Sequence, residues 1–175
     1  MFAVLLAASL VASSYAACGF PNGTETAFHW WQAPGTGRIA FSGATPVDAN
    51  GNAEYPLRMT APLHIKLQYN NQEKVITSPN GLVSIKMFTY GADCSWREVY
   101  TFGLLDNLDG CALNVVECPI LLGEHESIAT LDLSRYDAII GLLRNDAPYQ
   151  LQLTFTEKMS GDYVTLYAQA RAFTK

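Results

Sequence analysis

The feature that most constrains the fold of this chain is a strict alternation of apolar and polar side chains. An extended strand turns successive side chains to opposite faces of a sheet, so each alternating run predicts a strand with one dry and one wet face. The clearest runs are residues 63–70, 83–88, 151–156 and 164–171, with shorter candidates at 28–32, 38–42 and 55–59. About seven or eight strands separated by Gly, Pro, Asn and Asp predict an all-β sandwich or barrel.

One segment departs from this alternation. In residues 134–144 the apolar side chains stand at positions 136, 139, 140 and 143, which is the spacing of one face of a helix. Ser134 is placed to cap its start, and Pro148 disfavours helical geometry at Ala147. The pattern predicts a short helical insert between two strands.

Composition limits the class of protein. The chain has 175 residues, of which 49% are hydrophobic and only 15% charged, against roughly 25% charged in an average soluble protein. That length suits one domain with a substantial core. The net charge of −5, with no cluster of Lys and Arg, argues against a nucleic-acid partner.

The N-terminus has the pattern of a secretory signal peptide. Residues 2–11 are apolar and residues 13–17 are small, apart from Tyr15. The apolar stretch is too short to span a bilayer, so residues 1–17 are interpreted as a removed signal, although the usual basic start is missing. Residues 18–175 then form a single domain that is expected to be secreted.

Four cysteines predict the covalent framework. An even number in an oxidising compartment favours two disulfides. Cys111 and Cys118 are close in sequence and predict one bond that closes a loop, which leaves Cys18 to pair with Cys94, although three connectivities are open on paper. No CxxC pair occurs and the histidines are scattered, so no metal site is expected. Asn22 begins a glycosylation sequon.

The sequence contains no GxSxG, HExxH or phosphate-loop motif. Its densest ionisable cluster is Glu124-His125-Glu126. In a strand the two carboxylates would share a face about 7 Å apart, a distance that suits inverting glycoside hydrolysis. A solvated turn before a strand at 127–133 is the favoured interpretation. A small secreted glycoside hydrolase is therefore the weaker hypothesis, and a protein without catalytic residues or cofactor is preferred.

The excess of apolar residues raises the question of what fills the interior. Near the C-terminus one predicted strand is bulky on its apolar face and the next is small. The residues are Leu151, Leu153 and Phe155 in the first, and Ala168, Ala170 and Ala172 in the second. Either a cavity for an apolar ligand lies between the sheets, or the 3 Trp, 9 Tyr and 8 Phe of the chain fill the space.

Two stretches of the C-terminal half match the pattern of a known family. The loop from Cys111 to Cys118 closes in Cys-Pro, followed by Ile120 and Gly123, and residues 147–153 alternate in polarity. From Asp93 to the end, the sequence resembles the ML lipid-recognition family, which includes the lysosomal sterol carrier, the ganglioside activator and phospholipid transfer proteins. Family members usually join the first and last strands by a disulfide, for which this chain has no cysteines.

The resemblance implies an immunoglobulin-like, two-sheet antiparallel β-sandwich with an apolar cavity between the sheets. It implies a secreted or endolysosomal lipid-binding or lipid-transfer protein for a sterol, fatty acyl chain, phospholipid or glycolipid. A lipid-presenting recognition module for a receptor or for innate immunity is the alternative. The implied partners are the lipid, a membrane surface in transient contact, and an acceptor or receptor protein.

Site residues follow from combining the strand pattern with this resemblance. The candidate lipid-pocket residues are Ile85, Met87, Leu151, Leu153, Phe155, Val164 and Leu166. The helical insert is expected to act as a lid at the pocket entrance, through Tyr136, Ile139, Ile140 and Leu143.

Overall fold

The computed structural model describes residues 18–175, and the predicted signal peptide at residues 1–17 lies outside them. The described chain forms ten strands, two short 3-10 helices and one short α-helix. The strands are β1 (His29–Ala33), β2 (Ile39–Val47), β3 (Leu57–Arg58), β4 (Leu63–Asn71), β5 (Gly81–Tyr90), β6 (Trp96–Val99), β7 (Leu108–Asp109), β8 (Gly123–Leu131), β9 (Ala147–Glu157) and β10 (Tyr163–Phe173). The 3-10 helices are Pro21–Gly23 and Leu133–Tyr136, and α1 is Asp137–Ile140.

The strands form two sheets. The larger sheet has the order β1-β10-β9-β5-β6, with β3 beside β10 and β7 beside β5, and the smaller sheet has the order β2-β4-β8. The pairs are antiparallel except that β3 runs parallel to β10. The predicted all-β sandwich of two sheets with a short helical insert is confirmed.

The long hairpin of β9 and β10 follows the alternation in the sequence. Leu153 pairs with Leu166, and Leu151 pairs with Ala168. Directly paired residues point to the same face of a sheet, so one face of this hairpin carries both the bulky and the small apolar side chains. The predicted turn at 158–162 joins the two strands.

Some boundaries differ from the sequence prediction. β2 continues to Val47, and the candidate strand at 55–59 is reduced to two residues. Residues 124–126 lie within β8 rather than in a turn, because they pair with residues 68–70 of β4. The short strands β6 and β7, which carry no clear alternation, were not predicted.

The helical insert is shorter than predicted. The 3-10 helix and α1 together span only residues 133–140. The carboxylate of Asp132, rather than the hydroxyl of Ser134, caps the start by accepting a hydrogen bond of 3.1 Å from the Ser134 amide. None of the helices in residues 18–175 has the length and apolar character to span a bilayer.

Both predicted disulfides are present. Cys18 is bonded to Cys94, and Cys111 is bonded to Cys118. The first and last strands, which lack the disulfide usual in the ML family, are held together by a ladder of five residue pairs. The side chain of Asn22 donates a hydrogen bond of 2.7 Å to Gln169, and glycosylation at Asn22 stays a prediction.

Candidate ligand-binding cavities

Two apolar cavities lie between the sheets within residues 18–175. Cavity 1 has a volume of about 60 Å³, and cavity 2 has a volume of about 70 Å³. A cavity needs roughly 10–15 Å³ to hold one water molecule, so each of the two is larger than the packing defects of an ordinary core. Cavity 1 is lined by side chains that include Ile39, Phe41, Tyr69, Val116, Phe155 and Val164. Cavity 2 is lined by others that include Trp30, Met59, Ile65, Leu151, Ala168 and Ala170.

Three leucines line both cavities and separate them. Leu153 and Leu166 are paired on β9 and β10 of the larger sheet, and Leu67 comes from β4 of the smaller sheet. We call these three side chains the leucine septum. A leucine moves between staggered rotamers without moving its backbone. The two cavities therefore meet at side chains that can change rotamer.

Cavity 2 owes its existence to small side chains. Ala168, Ala170 and Ala172 of β10 and Ala44 of β2 line it with single methyl groups. Aromatic side chains line both cavities but do not fill them: Phe41, Tyr69 and Phe155 line cavity 1, and Phe28, Trp30, Tyr149 and Tyr167 line cavity 2. Of the two alternatives for the interior, a cavity rather than a filled core is therefore present.

Cavity 1 also has a polar edge. Tyr69, Glu117 and Ser127 line it together with eleven apolar residues. The Tyr69 ring lies against Phe41 and His125, each with its ring centroid 6.0 Å away. Burial and the negative charge of Glu117 raise the pKa of Tyr69, and together they outweigh a hydrogen bond with Ser127, which lowers it. The phenol of Tyr69 therefore stays protonated at physiological pH.

Five of the seven predicted pocket residues line a cavity. Leu151 faces cavity 2, Phe155 and Val164 face cavity 1, and Leu153 and Leu166 belong to the leucine septum.

Ile85 and Met87 do not line either cavity, contrary to the expectation. They are 0% and 1% exposed and belong to the packed core, together with Leu105, Leu133 and Ile140. Leu105 comes from the loop after β6, and Leu133 and Ile140 come from the helical insert, so the space beside Ile85 and Met87 is filled, whereas Val83 of the same strand lines cavity 1.

The predicted entrance is also placed differently. None of Tyr136, Ile139, Ile140 and Leu143 lines either cavity. Ile140 and Leu143 are buried in the core, and Tyr136 packs against it. The apolar face of the insert is therefore used to cover the core, and the expected lid is not found at the cavities.

Sequence reasoning missed the contribution of the smaller sheet and of the cysteine loop. Ile39 and Phe41 of β2, Tyr69 of β4 and residues 115–117 all line cavity 1. The signal for Tyr69 was present, because it lies on the dry face of the alternating run 63–70. The sequence could not show which strand faces it across the sandwich.

Glu126, one of the two carboxylates considered for hydrolysis, forms part of a surface network. Glu126 accepts hydrogen bonds from Lys66 at 2.7 Å and from Gln68 at 3.3 Å. These bonds lower the pKa of Glu126, whereas a general acid in a glycosidase needs a raised pKa. Within residues 18–175 no cluster of three or more His, Cys, Asp or Glu side chains is arranged to hold a metal ion.

No family model and no curated protein matches the sequence. Among solved structures, a Niemann-Pick type C2 protein from the Japanese carpenter ant is similar to this chain. The similarity covers 82% of this chain and 98% of that chain, with 10% sequence identity and a TM-score of 0.47. At this level of similarity, a function has to be inferred from the cavities of the chain itself, and membership of the ML family stays a prediction.

Proposed function

We propose that this chain is a secreted, non-catalytic carrier that shields a lipid between its two sheets. The observation that carries the proposal is the pair of apolar cavities between the sheets that share Leu67, Leu153 and Leu166 as lining residues. Binding sites for small apolar molecules are concave, mostly apolar and supplied with a few polar groups. Cavity 1, with its edge of Tyr69, Glu117 and Ser127, fits that description.

The energetics favour a ligand with a hydrocarbon chain. Burial of one methylene contributes about 0.8 kcal/mol, so a chain of a dozen carbons gains roughly 10 kcal/mol before the costs of association. A chain that extends from one cavity to the other has to pass Leu67, Leu153 and Leu166, which line both. Rotation of the leucine septum would give the chain a continuous path between the sheets.

The covalent framework supports a site of action outside the cytosol. The bonds Cys18–Cys94 and Cys111–Cys118 are of the kind that persists in oxidising compartments. They agree with the predicted signal peptide and with the resemblance of the cysteine loop to that of the ML family. A net charge of −5 opposes tight attraction to anionic membranes, which suits transient contact with neutral lipid surfaces.

Native mass spectrometry of the purified protein, followed by organic extraction, tests the proposal. We expect a bound lipid in stoichiometric amount, or its uptake from mixed vesicles. The variant Ala168→Leu adds bulk to the wall of cavity 2 and should reduce occupancy. Ala40→Leu adds the same atoms at an exposed position of β2 that lines neither cavity, and should leave occupancy unchanged.

A protein that stays free of lipid after incubation with vesicles would contradict the carrier function. A second measurement separates transport from lipid presentation. Transfer of a labelled lipid from donor to acceptor vesicles is expected for a carrier. A module that presents lipid to a receptor would instead show binding to a partner that depends on the ligand.

A further inference from the structure

We propose that the edge of cavity 1 selects amphiphiles whose polar end is an uncharged hydroxyl group over those that end in an anion. This inference rests on the proposed lipid-binding function and adds the class of headgroup. It is drawn from Tyr69, Ser127 and Glu117, which stand together at one cavity that is otherwise lined by apolar side chains.

These three groups differ in their exposure to solvent. Tyr69 is buried, Ser127 is half-buried and Glu117 is exposed, so the polar groups follow a gradient from the interior to the surface. Glu117 lies within the loop closed by Cys111 and Cys118, and this loop is held to β8 by a hydrogen bond of 3.1 Å from the Thr130 amide to the carbonyl of Val115. An amphiphile with its chain in the cavity would leave its polar end among these groups.

The charge of this edge opposes an anionic headgroup. Glu117 is the only charged side chain that lines either cavity in the part of the chain that the structure describes. No ion pair in residues 18–175 includes Glu117, so its negative charge is not neutralised by a neighbouring cation. An anionic headgroup placed at this edge would be repelled by Glu117, and because Glu117 is exposed, the repulsion should weaken as the ionic strength rises.

The donors and acceptors of these three side chains favour a ligand hydroxyl group. A glutamate carboxylate only accepts hydrogen bonds, a tyrosine phenol donates one and accepts, and a serine hydroxyl does both. A ligand hydroxyl can donate to Glu117, a charge-assisted bond, while it accepts from Tyr69 or Ser127. A ligand carboxylate or phosphodiester can donate nothing to Glu117 and would leave that contact repulsive.

A matched pair of ligands tests the inference. The affinities of 1-dodecanol and dodecanoate are measured at pH 7.5 by displacement of the uncharged fluorophore N-phenyl-1-naphthylamine. Because the two ligands carry the same chain, their difference reports the headgroup. We expect dodecanol to bind at least about tenfold more tightly, the factor that corresponds to a difference of 1.4 kcal/mol.

Two variants of equal charge assign this preference to Glu117. Glu117→Gln should strengthen the binding of dodecanoate and bring the ratio of affinities close to one. Glu124→Gln removes the same charge at an exposed position that lines neither cavity, and should leave the ratio as in the wild type. Tyr69→Phe, which deletes only the phenol oxygen, should weaken dodecanol by roughly fivefold, the worth of one hydrogen bond.

The possible failures are distinct. If both ligands displace the fluorophore equally, or if Glu117→Gln leaves the ratio unchanged, the headgroup inference is wrong and the carrier function stands. If neither ligand nor the fluorophore binds to a folded protein, the carrier function fails and the headgroup inference fails with it.

Discussion

The side chain of Gln32 forms two hydrogen bonds across the gap between the sheets, one of them with the backbone of Phe41. The Phe41 amide donates to Gln32 Oε1 at 2.8 Å, and Gln32 Nε2 donates to the carbonyl of Ile39 at 3.0 Å. Gln32 belongs to β1 of the larger sheet, and Ile39 and Phe41 belong to β2 of the smaller sheet. One amide side chain thus joins the edges of the two sheets beside the wall of cavity 1.

Gln32→Ala should therefore destabilise the protein and loosen cavity 1. Loss of two partly buried hydrogen bonds is expected to lower the free energy of unfolding by about 2 kcal/mol, as measured by urea denaturation. Gln72→Ala is the control, because the Gln72 side chain is exposed, and its effect should stay within about 0.5 kcal/mol. Equal effects of the two variants would show that the Gln32 link contributes nothing.

The paired residues Ile85 and Leu153 should respond differently to truncation. They are direct neighbours on β5 and β9, but Ile85 is packed in the core and Leu153 faces both cavities. Ile85→Ala leaves a new void and is expected to cost about 3 kcal/mol. Leu153→Ala removes contacts that are already incomplete and should cost about 1–2 kcal/mol.

Ligand binding provides the second comparison for this pair. Leu153→Ala removes part of the leucine septum and should increase the affinity for long-chain ligands relative to short ones. Ile85→Ala should leave that preference unchanged. The role of the septum is contradicted if the Leu153 variant shows the same chain-length dependence as the wild type.

Removal of the long disulfide and removal of the short one should affect stability and ligand binding to different extents. The bond Cys18–Cys94 spans 76 residues and Cys111–Cys118 spans 7. On the loop-entropy estimate, replacing both cysteines by serine costs about 4–5 kcal/mol for the long loop and about 2–3 kcal/mol for the short one. Val115, Val116 and Glu117 of the short loop line cavity 1 and lie outside any strand, whereas the lining residues between Cys18 and Cys94 lie in β2, β4 and β5 and are held by their sheets.

Removal of the short disulfide should therefore weaken binding of the fluorophore more strongly, although it costs less stability. We expect Cys111→Ser/Cys118→Ser to weaken it more than Cys18→Ser/Cys94→Ser, when both proteins are measured under conditions in which they are folded. The reverse order would mean that the cysteine loop does not shape the cavity.

A buried carboxylate should make stability depend on pH. Glu157 is 3% exposed and is paired with Lys74 at 2.7 Å. Burial alone would raise the pKa of Glu157, but the bonds from Lys74 and from the amides of Met159 and Ser160 outweigh it and lower the pKa from 4.5 to about 2. At 1.36 kcal/mol for each pKa unit, this shift corresponds to about 3 kcal/mol.

The direction of the pH dependence of stability follows from the lowered pKa of Glu157. The folded state holds the Glu157 charge more firmly than the unfolded chain, so the contribution is complete above about pH 5 and is lost as the pH falls towards 2. Glu157→Gln should reduce this acid dependence, measured by urea denaturation between pH 7 and pH 3. The pKa of Glu73 is raised by burial and by its bond with Asp162, so Glu73 also contributes to the acid dependence. The difference between the wild type and Glu157→Gln therefore isolates the contribution of Glu157.

Glu126→Gln is the control for this experiment. Glu126 pairs with Lys66 at the surface, where both side chains are exposed, and such pairs contribute little to stability. Its acid dependence should match that of the wild type. A Glu157→Gln protein with an unchanged slope would contradict the stabilising role of the Lys74 pair.

The sequence by itself determined the class of fold and most of the strands. Period-two alternation is a local property, because each residue's face in a strand depends only on its neighbours in the chain. The runs at 63–70 and 151–156 therefore predicted β4 and β9 correctly. The cysteine spacing likewise predicted both disulfides, since few pairings are open to four cysteines in an oxidising compartment.

Only the tertiary structure decided where the interior is empty and where it is filled. Ile85 and Leu153 have the same apolar character and the same alternation, yet one is covered by Leu105 and Leu133 and the other faces open space. The apolar residues of the insert at 136–143 likewise have one sequence pattern, which does not distinguish a helix that covers a core from one that covers a cavity entrance. Packing density depends on contacts between segments distant along the chain, which no local pattern records.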